Sequence, residues 1–196
     1  MSIHKTNNYQ QTNSSNLAGL PTLQSVGRDK NNAGAQYTTS TKDWRIPKPS
    51  EVKAILEFKP ERIGHGTCIH PQLGGSSELW EILLQSKIPV EACLTSNVKS
   101  RTVKHYEDHH FQYMFKHQHP ITLGTDDKGV FATSLSREFQ IAANTFSLSK
   151  QQMWKLSFDS VDYIFGTQQE QIHLKKVLKS WRDENMHLFE TVNDSH

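Results

Sequence analysis

The chain has 196 residues, room for one domain of moderate size, and its 22 basic and 20 acidic residues leave a formal charge of +2. That balance, with no stripe of interleaved aromatic and basic residues, argues against nucleic acid or a membrane surface as a partner. No run approaches the ~20 apolar residues of a membrane span. The start, Met1-Ser2-Ile3-His4-Lys5, lacks the apolar core of a signal peptide. Two cysteines, Cys68 and Cys93, are too few for a disulfide framework, so reduced core thiols in a cytoplasmic protein are expected. Eleven histidines make a metal worth testing.

Residues 1–42 are rich in Asn, Gln, Ser, Thr and Gly and lack apolar periodicity. Such a segment cannot bury enough surface to offset its ordering entropy, so a disordered leader is expected there and a folded domain over 43–190. The change at Trp44-Arg45-Ile46-Pro47 is abrupt. A short helix follows over 49–58, with Pro in its first turn. Residues 60–66 read as a brief strand opening into the glycine-flanked His65. A second helix starts at Ser76-Ser77-Glu78, with Leu79, Ile82 and Leu83 on one face. The next strand spans 88–94 and ends at Thr95-Ser96-Asn97. A third helix begins at Asp108-His109-His110-Phe111, with Phe111, Met114 and Phe115 inward. A third strand then runs from Pro120 to Thr125 and ends in Asp126 and Asp127.

Beyond the aspartates the pattern is helical. Residues 136–147 place Phe139, Ala142, Ala143 and Phe146 at helical spacing, and Ser149 to Gln152 and Thr167 to Glu170 are capping boxes. The last helix puts Leu174, Val177, Leu178 and Trp181 on one apolar stripe, with Lys175, Lys176 and Lys179 outside. Three strands separated by helices make repeated α/β units with parallel pairing. His65, Asn97, Asp126 and Asp127 all fall just after strand ends, the functional side of such folds.

Each polar group also has a plainer reading. Asp126-Asp127-Lys128-Gly129 makes a good loop tip as well as a pair of strand-end carboxylates facing two targets. Glu91 and Asn97 are either supports for a site or ordinary strand-end polar groups. His117 and His119 precede a strand, opposite the functional side, and are expected on the surface. His109-His110 is expected to belong to a helix start, and His173 and His187 to solvated helix faces. Paired Cys-x-x-Cys motifs are absent, and so is the His-x-Glu signature of the cytidine-type deaminases.

Three motifs stand in order: Arg62-Ile63-Gly64-His65-Gly66, then Val90-Glu91-Ala92-Cys93-Leu94-Thr95-Ser96-Asn97, then Thr125-Asp126-Asp127. Together they resemble signatures of the adenosine deaminase superfamily. The extended forms Leu94-Thr95-Ser96-Asn97-Val98-Lys99-Ser100 and Thr125-Asp126-Asp127-Lys128-Gly129-Val130-Phe131 are most similar to its adenosine deaminase-like subgroup, which acts on N6-methylated AMP. The resemblance runs from about residue 60 to near 189. It implies the C-terminal portion of a (β/α)8 barrel, with about three strands readable. It also implies a zinc-dependent aminohydrolase that replaces the exocyclic amine at purine C6 of an adenine nucleoside or nucleotide, N6-methyl-AMP giving IMP and methylamine.

By position, Asp126 matches the zinc-ligating carboxylate, Asp127 the group that hydrogen-bonds the purine, and His65 the catalytic histidine that orients the zinc-bound water. Zinc brings a bound water's pKa near neutrality, and glycines beside a histidine leave room for close approach. The family pattern also needs a His-x-His pair, a further His, and a proton-shuttling Glu ahead of Arg62. The residues there, Thr41-Lys42-Asp43-Trp44-Arg45-Ile46-Pro47, supply none of these.

The roughly 150 residues of α/β pattern also fall short of the roughly 250 of a whole barrel. The expectation is a truncated form with little activity alone. A three-strand remnant would expose two sheet edges that a partner chain could cover. The competing reading is therefore a non-catalytic interaction or regulatory protein working through those edges.

Overall fold

The computed structural model describes residues 47–189 together with the backbone of a two-residue strand at Gln24–Ser25. Its centre is a small sheet in the order β1 (Gln24–Ser25), β2 (Ile63–Gly64), β3 (Val90–Ala92), β4 (Ile121–Leu123). β1 is antiparallel to β2, while β2, β3 and β4 are parallel. The register sets Ile63 beside Val90 and Val90 beside Ile121. Parallel strands in strict chain order, with no reversal, are what βα units give when they wind in one direction. A doubly wound sheet would reverse.

The crossovers are helical. Ahead of β2 lies α1 (Pro49–Phe58), and α2 (Ser77–Ser86) joins β2 to β3. Between β3 and β4 come α3 (Leu94–Lys99) and α4 (Phe111–Lys116). After β4 the chain is helical: α5 (Lys128–Phe131), α6 (Leu135–Phe146), α7 (Lys150–Ser160) and α8 (Gln168–Glu184). Local chemistry explains most of the starts. Ser76 Oγ accepts from Leu79 N–H at 3.2 Å to open α2, and Ser134 Oγ does the same for Arg137 at the start of α6. The Ser149–Gln152 and Thr167–Glu170 capping boxes form as expected.

Alternation along the strands decides which face is covered. Val90 and Ala92 of β3, like Ile121 and Leu123 of β4, are buried against the helices, while Glu91 and Thr122 between them stay partly exposed on the other face. The core therefore lies on one side of the sheet, where Ile63, Leu83, Phe111, Met114, Ala142 and Leu156 join one cluster. Cys68 and Cys93 are both buried thiols. No described helix is long and apolar enough to cross a membrane.

The structure corrects several expectations. The strand read over 88–94 is only Val90–Ala92, and Thr95, Ser96 and Asn97 lie in α3. Their side chains are buried and bonded inward, which a continued extended strand would prevent. His119 is not on the surface: it is 4% exposed, its Nε2 donates to Ile88 O at 2.8 Å, and burial pulls its pKa down to about 4. His117, His173 and His187 are exposed, as expected.

The stripe on α8 is corrected too. Leu174, Val177 and Trp181 remain 40–50% exposed. Leu178 of the same stripe is half-buried where the helix borders α6 and α7, and the helix also docks through its cations. Lys175 and Lys179 lie over the Phe158 ring at 5.0 and 5.6 Å, and the Arg182 guanidinium lies 4.6 Å over Trp154. Of the two sheet edges expected to be open, the one on β2 is paired by Gln24–Ser25. Apart from those two residues, the leader expected over 1–42 lies outside the described residues, as does the break at 44–46.

Burial should separate the variants sharply. Leu83→Ala empties a fully buried position and is expected to cost about 2–5 kcal/mol. Val177→Lys, on the half-exposed stripe of α8, should stay within about 0.5 kcal/mol of the parent. Urea unfolding of both checks the difference, and equal losses would mean that α8 is packed as the sequence suggested.

Candidate active site

The segments following β2, β3 and β4 bond to one another. After β2, His65 N–H donates to Glu91 O at 2.9 Å, one step beyond the strand. The backbone then turns through the left-handed region, with φ of 59° at His65 and 66° at Gly66. A side chain at Gly66 would meet Val90 Cγ1 at 3.0 Å, so this glycine is needed for space as well as for conformation. After β4, Asp126 is also left-handed, at φ 53°.

Among the described residues, eight non-glycine positions have positive φ. Lys59, Lys87, Arg101, Gln118, Ala132 and Ser147 close helices. Only His65 and Asp126 follow strands. A side chain held in that region costs roughly 1–3 kcal/mol, and such residues gather at functional sites.

These two side chains meet. His65 Nε2 lies 3.2 Å from Asp126 Oδ2, and Ser96 Oγ–H donates to the same oxygen at 2.7 Å. On the far side of the ring, His65 Nδ1 lies 3.3 Å from Asn97 Oδ1. His110 Nε2 donates to the His65 carbonyl at 2.5 Å, holding the strained backbone in place. Burial works against charge on His65, but Asp126 outweighs it and the imidazole pKa is raised. For Asp126 burial works toward the neutral acid, and the bonds from His65 and Ser96 outweigh it, so its pKa is lowered.

Asp127, expected to reach a substrate, has a second task. Its Oδ1 accepts from Gly129 N–H and Val130 N–H, both at 3.0 Å, and caps α5. Asp126 therefore faces a histidine while Asp127 opens a turn. Asn97 is a support of His65. Glu91 sits 3.5 Å from Arg62 Nε on the exposed face of the sheet, and a side chain at Gly124 would strike its Oε1 at 2.7 Å.

Sequence reasoning missed Glu138, which is fully buried on α6. It accepts from Thr95 N–H at 3.0 Å, from the Thr95 hydroxyl, and from the Thr133 hydroxyl at 2.6 Å. Its signal was a charge flanking the apolar face of Phe139, Ala142 and Phe146. His109 and His110 were also missed as site residues; both are fully buried.

As for zinc, the described residues hold no group of three or more His, Cys, Asp or Glu that could bind a metal. Asp126 contributes one carboxylate, with Oδ2 already engaged by Ser96. These residues do not make a zinc site by themselves. A groove of about 550 Å³ between α6, α7 and α8, lined by Phe139, Trp154 and Trp181 among others, shares no residue with the site.

Two measurements test this geometry. Glu138→Ala leaves two hydroxyls and an amide without their acceptor, and should cost on the order of 3 kcal/mol or more in urea unfolding. A loss below about 1 kcal/mol would show that water replaces the carboxylate. The second is pH dependence. The raised pKa of His65 gives stability that is full below its unfolded value near 6.5 and lost as pH rises through its folded value. The lowered pKa of Asp126 gives stability present above about 3.8 and lost as pH falls through its folded value. The pair is therefore strongest between about pH 4 and pH 6.5. Asp126→Asn should lower stability more at about pH 5.5 than at about pH 8.5; an equal loss at both would rule out the ion pair.

Comparison with known proteins gives this geometry a family. The adenosine deaminase family model matches residues 45–181. The N6-methyl-AMP deaminase of Homo sapiens is 45% identical over 138 residues, covering 70% of this chain and 39% of that protein. The apo structure of the N6-methyl-AMP deaminase from Arabidopsis thaliana superposes with a TM-score of 0.66 at 37% identity, covering 71% of this chain and 40% of that one. An arabidopsis ADAL structure complexed with IMP matches with the same TM-score and identity, covering 71% and 39%. The chain thus spans about two fifths of the length of these relatives, and its parallel strands are part of a (β/α) barrel. The chain belongs to the adenosine deaminase family.

Proposed function

We propose that this chain carries part of a purine aminohydrolase acting on an N6-substituted adenine nucleotide, with N6-methyl-AMP as the favoured substrate. The observation that carries the reading is His65 Nε2 held 3.2 Å from Asp126 Oδ2, just beyond the ends of parallel barrel strands. The relatives' names and a relative's complex with IMP support the substrate class.

In the reaction water adds at C6, the bond from C6 to N6 breaks, and N6-methyl-AMP plus water gives IMP plus methylamine. His65 is the group to hold a proton at Nε2 beside the attacking oxygen, since its Nδ1 is taken by Asn97. Its raised pKa lets it carry positive charge where negative charge develops. Asp127 uses Oδ1 to cap α5, and Oδ2 is the atom to meet a purine donor. The family is generally zinc-dependent, and the proposal gives Asp126 to that metal. Its other ligands do not come from the described residues.

Because the described residues do not supply those ligands, binding and turnover should separate. Titrating the 15N-labelled chain with IMP is expected to shift the backbone signals of His65, Gly124 and residues 126–130 selectively. No shift at millimolar IMP would refute the substrate class. The same sample with zinc and N6-methyl-AMP is expected to show no measurable release of IMP. Robust zinc-dependent turnover abolished by Asp126→Ala would show that residues outside 47–189 complete the site.

A further inference from the structure

We propose that Glu138 is a positioning residue: reaching over from α6, it stands in for the N-cap side chain that α3 lacks. In doing so it sets the turn of helix that aims Ser96 at Asp126 and Asn97 at His65.

The first N–H groups of a helix have no acceptor within it, and a Ser, Thr, Asp or Asn side chain at the N-cap usually provides one. α2, α6, α7 and α8 follow that rule, with Ser76, Ser134, Ser149 and Thr167 as caps. α3 does not. Its N-cap is Cys93, which makes no side-chain capping bond; the thiol donates to Glu91 O at 4.0 Å instead. The acceptor comes from 43 positions along the chain, where Glu138 Oε2 takes Thr95 N–H at 3.0 Å. Thr95 is the second residue of the helix, and its N–H is one of the two that an N-cap side chain normally reaches. Glu138 Oε1 takes the Thr95 hydroxyl as well, and the Thr133 hydroxyl at 2.6 Å. The next residue, Ser134, caps α6, so the base from which Glu138 reaches is itself fixed.

This hold matters because α3 is only six residues long, too short to keep its direction by its own hydrogen bonds. Successive side chains on a helix point about 100° apart, so fixing Thr95 fixes Ser96 and Asn97 with it. Ser96 Oγ reaches Asp126 Oδ2 at 2.7 Å, and Asn97 Oδ1 lies 3.3 Å from His65 Nδ1. Side-chain tips stand roughly 5–6 Å from the helix axis, so a rotation of about 10° would carry both off their partners by about 1 Å. A displacement of that size is enough to cost a site much of its function. At the other end Lys99 Nζ donates to Phe131 O at 2.5 Å, which holds the last turn of α3 and leaves its start to Glu138.

The role rests on the aminohydrolase reading for the importance of His65 and Asp126, and its test separates the two. Backbone 15N–1H signals and the Asn97 side-chain amide are followed in the full chain, in Glu138→Ala and in Leu83→Ala, a variant of the buried core on α2. Glu138→Ala is expected to displace or split the folded-state signals of Ser96, Asn97 and Asp126, and to weaken IMP binding by about tenfold or more. Leu83→Ala is expected to leave both unchanged. Glu138→Gln keeps an oxygen for Thr95 N–H, and the two hydroxyls can turn to accept from its amide, so it should stay close to the parent. Glu138→Asp keeps the charge but falls short of Thr95, and should resemble Glu138→Ala; it decides if Glu138→Ala fails to fold. Parent-like signals at Ser96 and Asn97 without Glu138, an equal displacement in Leu83→Ala, or IMP affinity unchanged by loss of Glu138 would each overturn the proposal. If the parent fails to bind IMP while the signals behave as expected, the aminohydrolase reading fails and the hold of Glu138 on α3 stands.

Discussion

Three consecutive side chains hold the ends of the parallel strands together. The Thr95 hydroxyl bonds to Glu138 on α6, Ser96 to Asp126 beyond β4, and Asn97 to His65 beyond β2. One turn of helix after β3 thus reaches three separate parts of the fold. Polar groups buried this deeply are tolerable only when bonded, and each supplies the partner the next element needs. Two of those partners, His65 and Asp126, have left-handed backbones that a surface loop would relax out of. The tie makes the strain persist, and the strain aims the two side chains at each other.

The rest of the architecture serves or surrounds that tie. The helices cover one face of the sheet and leave Glu91 and Thr122 partly exposed on the other. On a whole barrel that second face is filled by layers of inward side chains from all eight strands; three parallel strands supply only a share of them. The site shows the same proportion. A histidine and a carboxylate lie just beyond β2 and β4, without a cluster among the described residues that could hold a metal.

The C-terminal helix illustrates how amphipathicity can mislead. Its apolar stripe is real and borders the groove beside α6 and α7, yet much of it stays half-exposed, and Lys175, Lys179 and Arg182 also meet the body of the protein, laid over the Phe158 and Trp154 rings. Long cationic side chains cover aromatic surface with their stems and keep their charge near solvent, so a lysine-rich face can be the docking face.

The sequence by itself determined the order of the three parallel strands and the longer helices, the capped helix starts, and the His65 and Asp126 that follow β2 and β4. These depend on interactions within a few positions along the chain: period-two and period-3.6 burial, Ser and Thr caps, and glycine where φ turns positive. It also carried the three motifs that point to the family. Tertiary structure alone decided what the polar residues do. Glu138, His109 and His110 look like ordinary helix-face residues until burial brings them against Thr95, Asn97 and His65, at separations of 43, 12 and 45 positions. His119 looks like a surface residue until Ile88 O lies 2.8 Å from its ring. A hydrogen bond between distant segments leaves no period in the chain. The histidine after β2, the acid after β4 and the asparagine between them could therefore be named in advance, but the network that orients them could not.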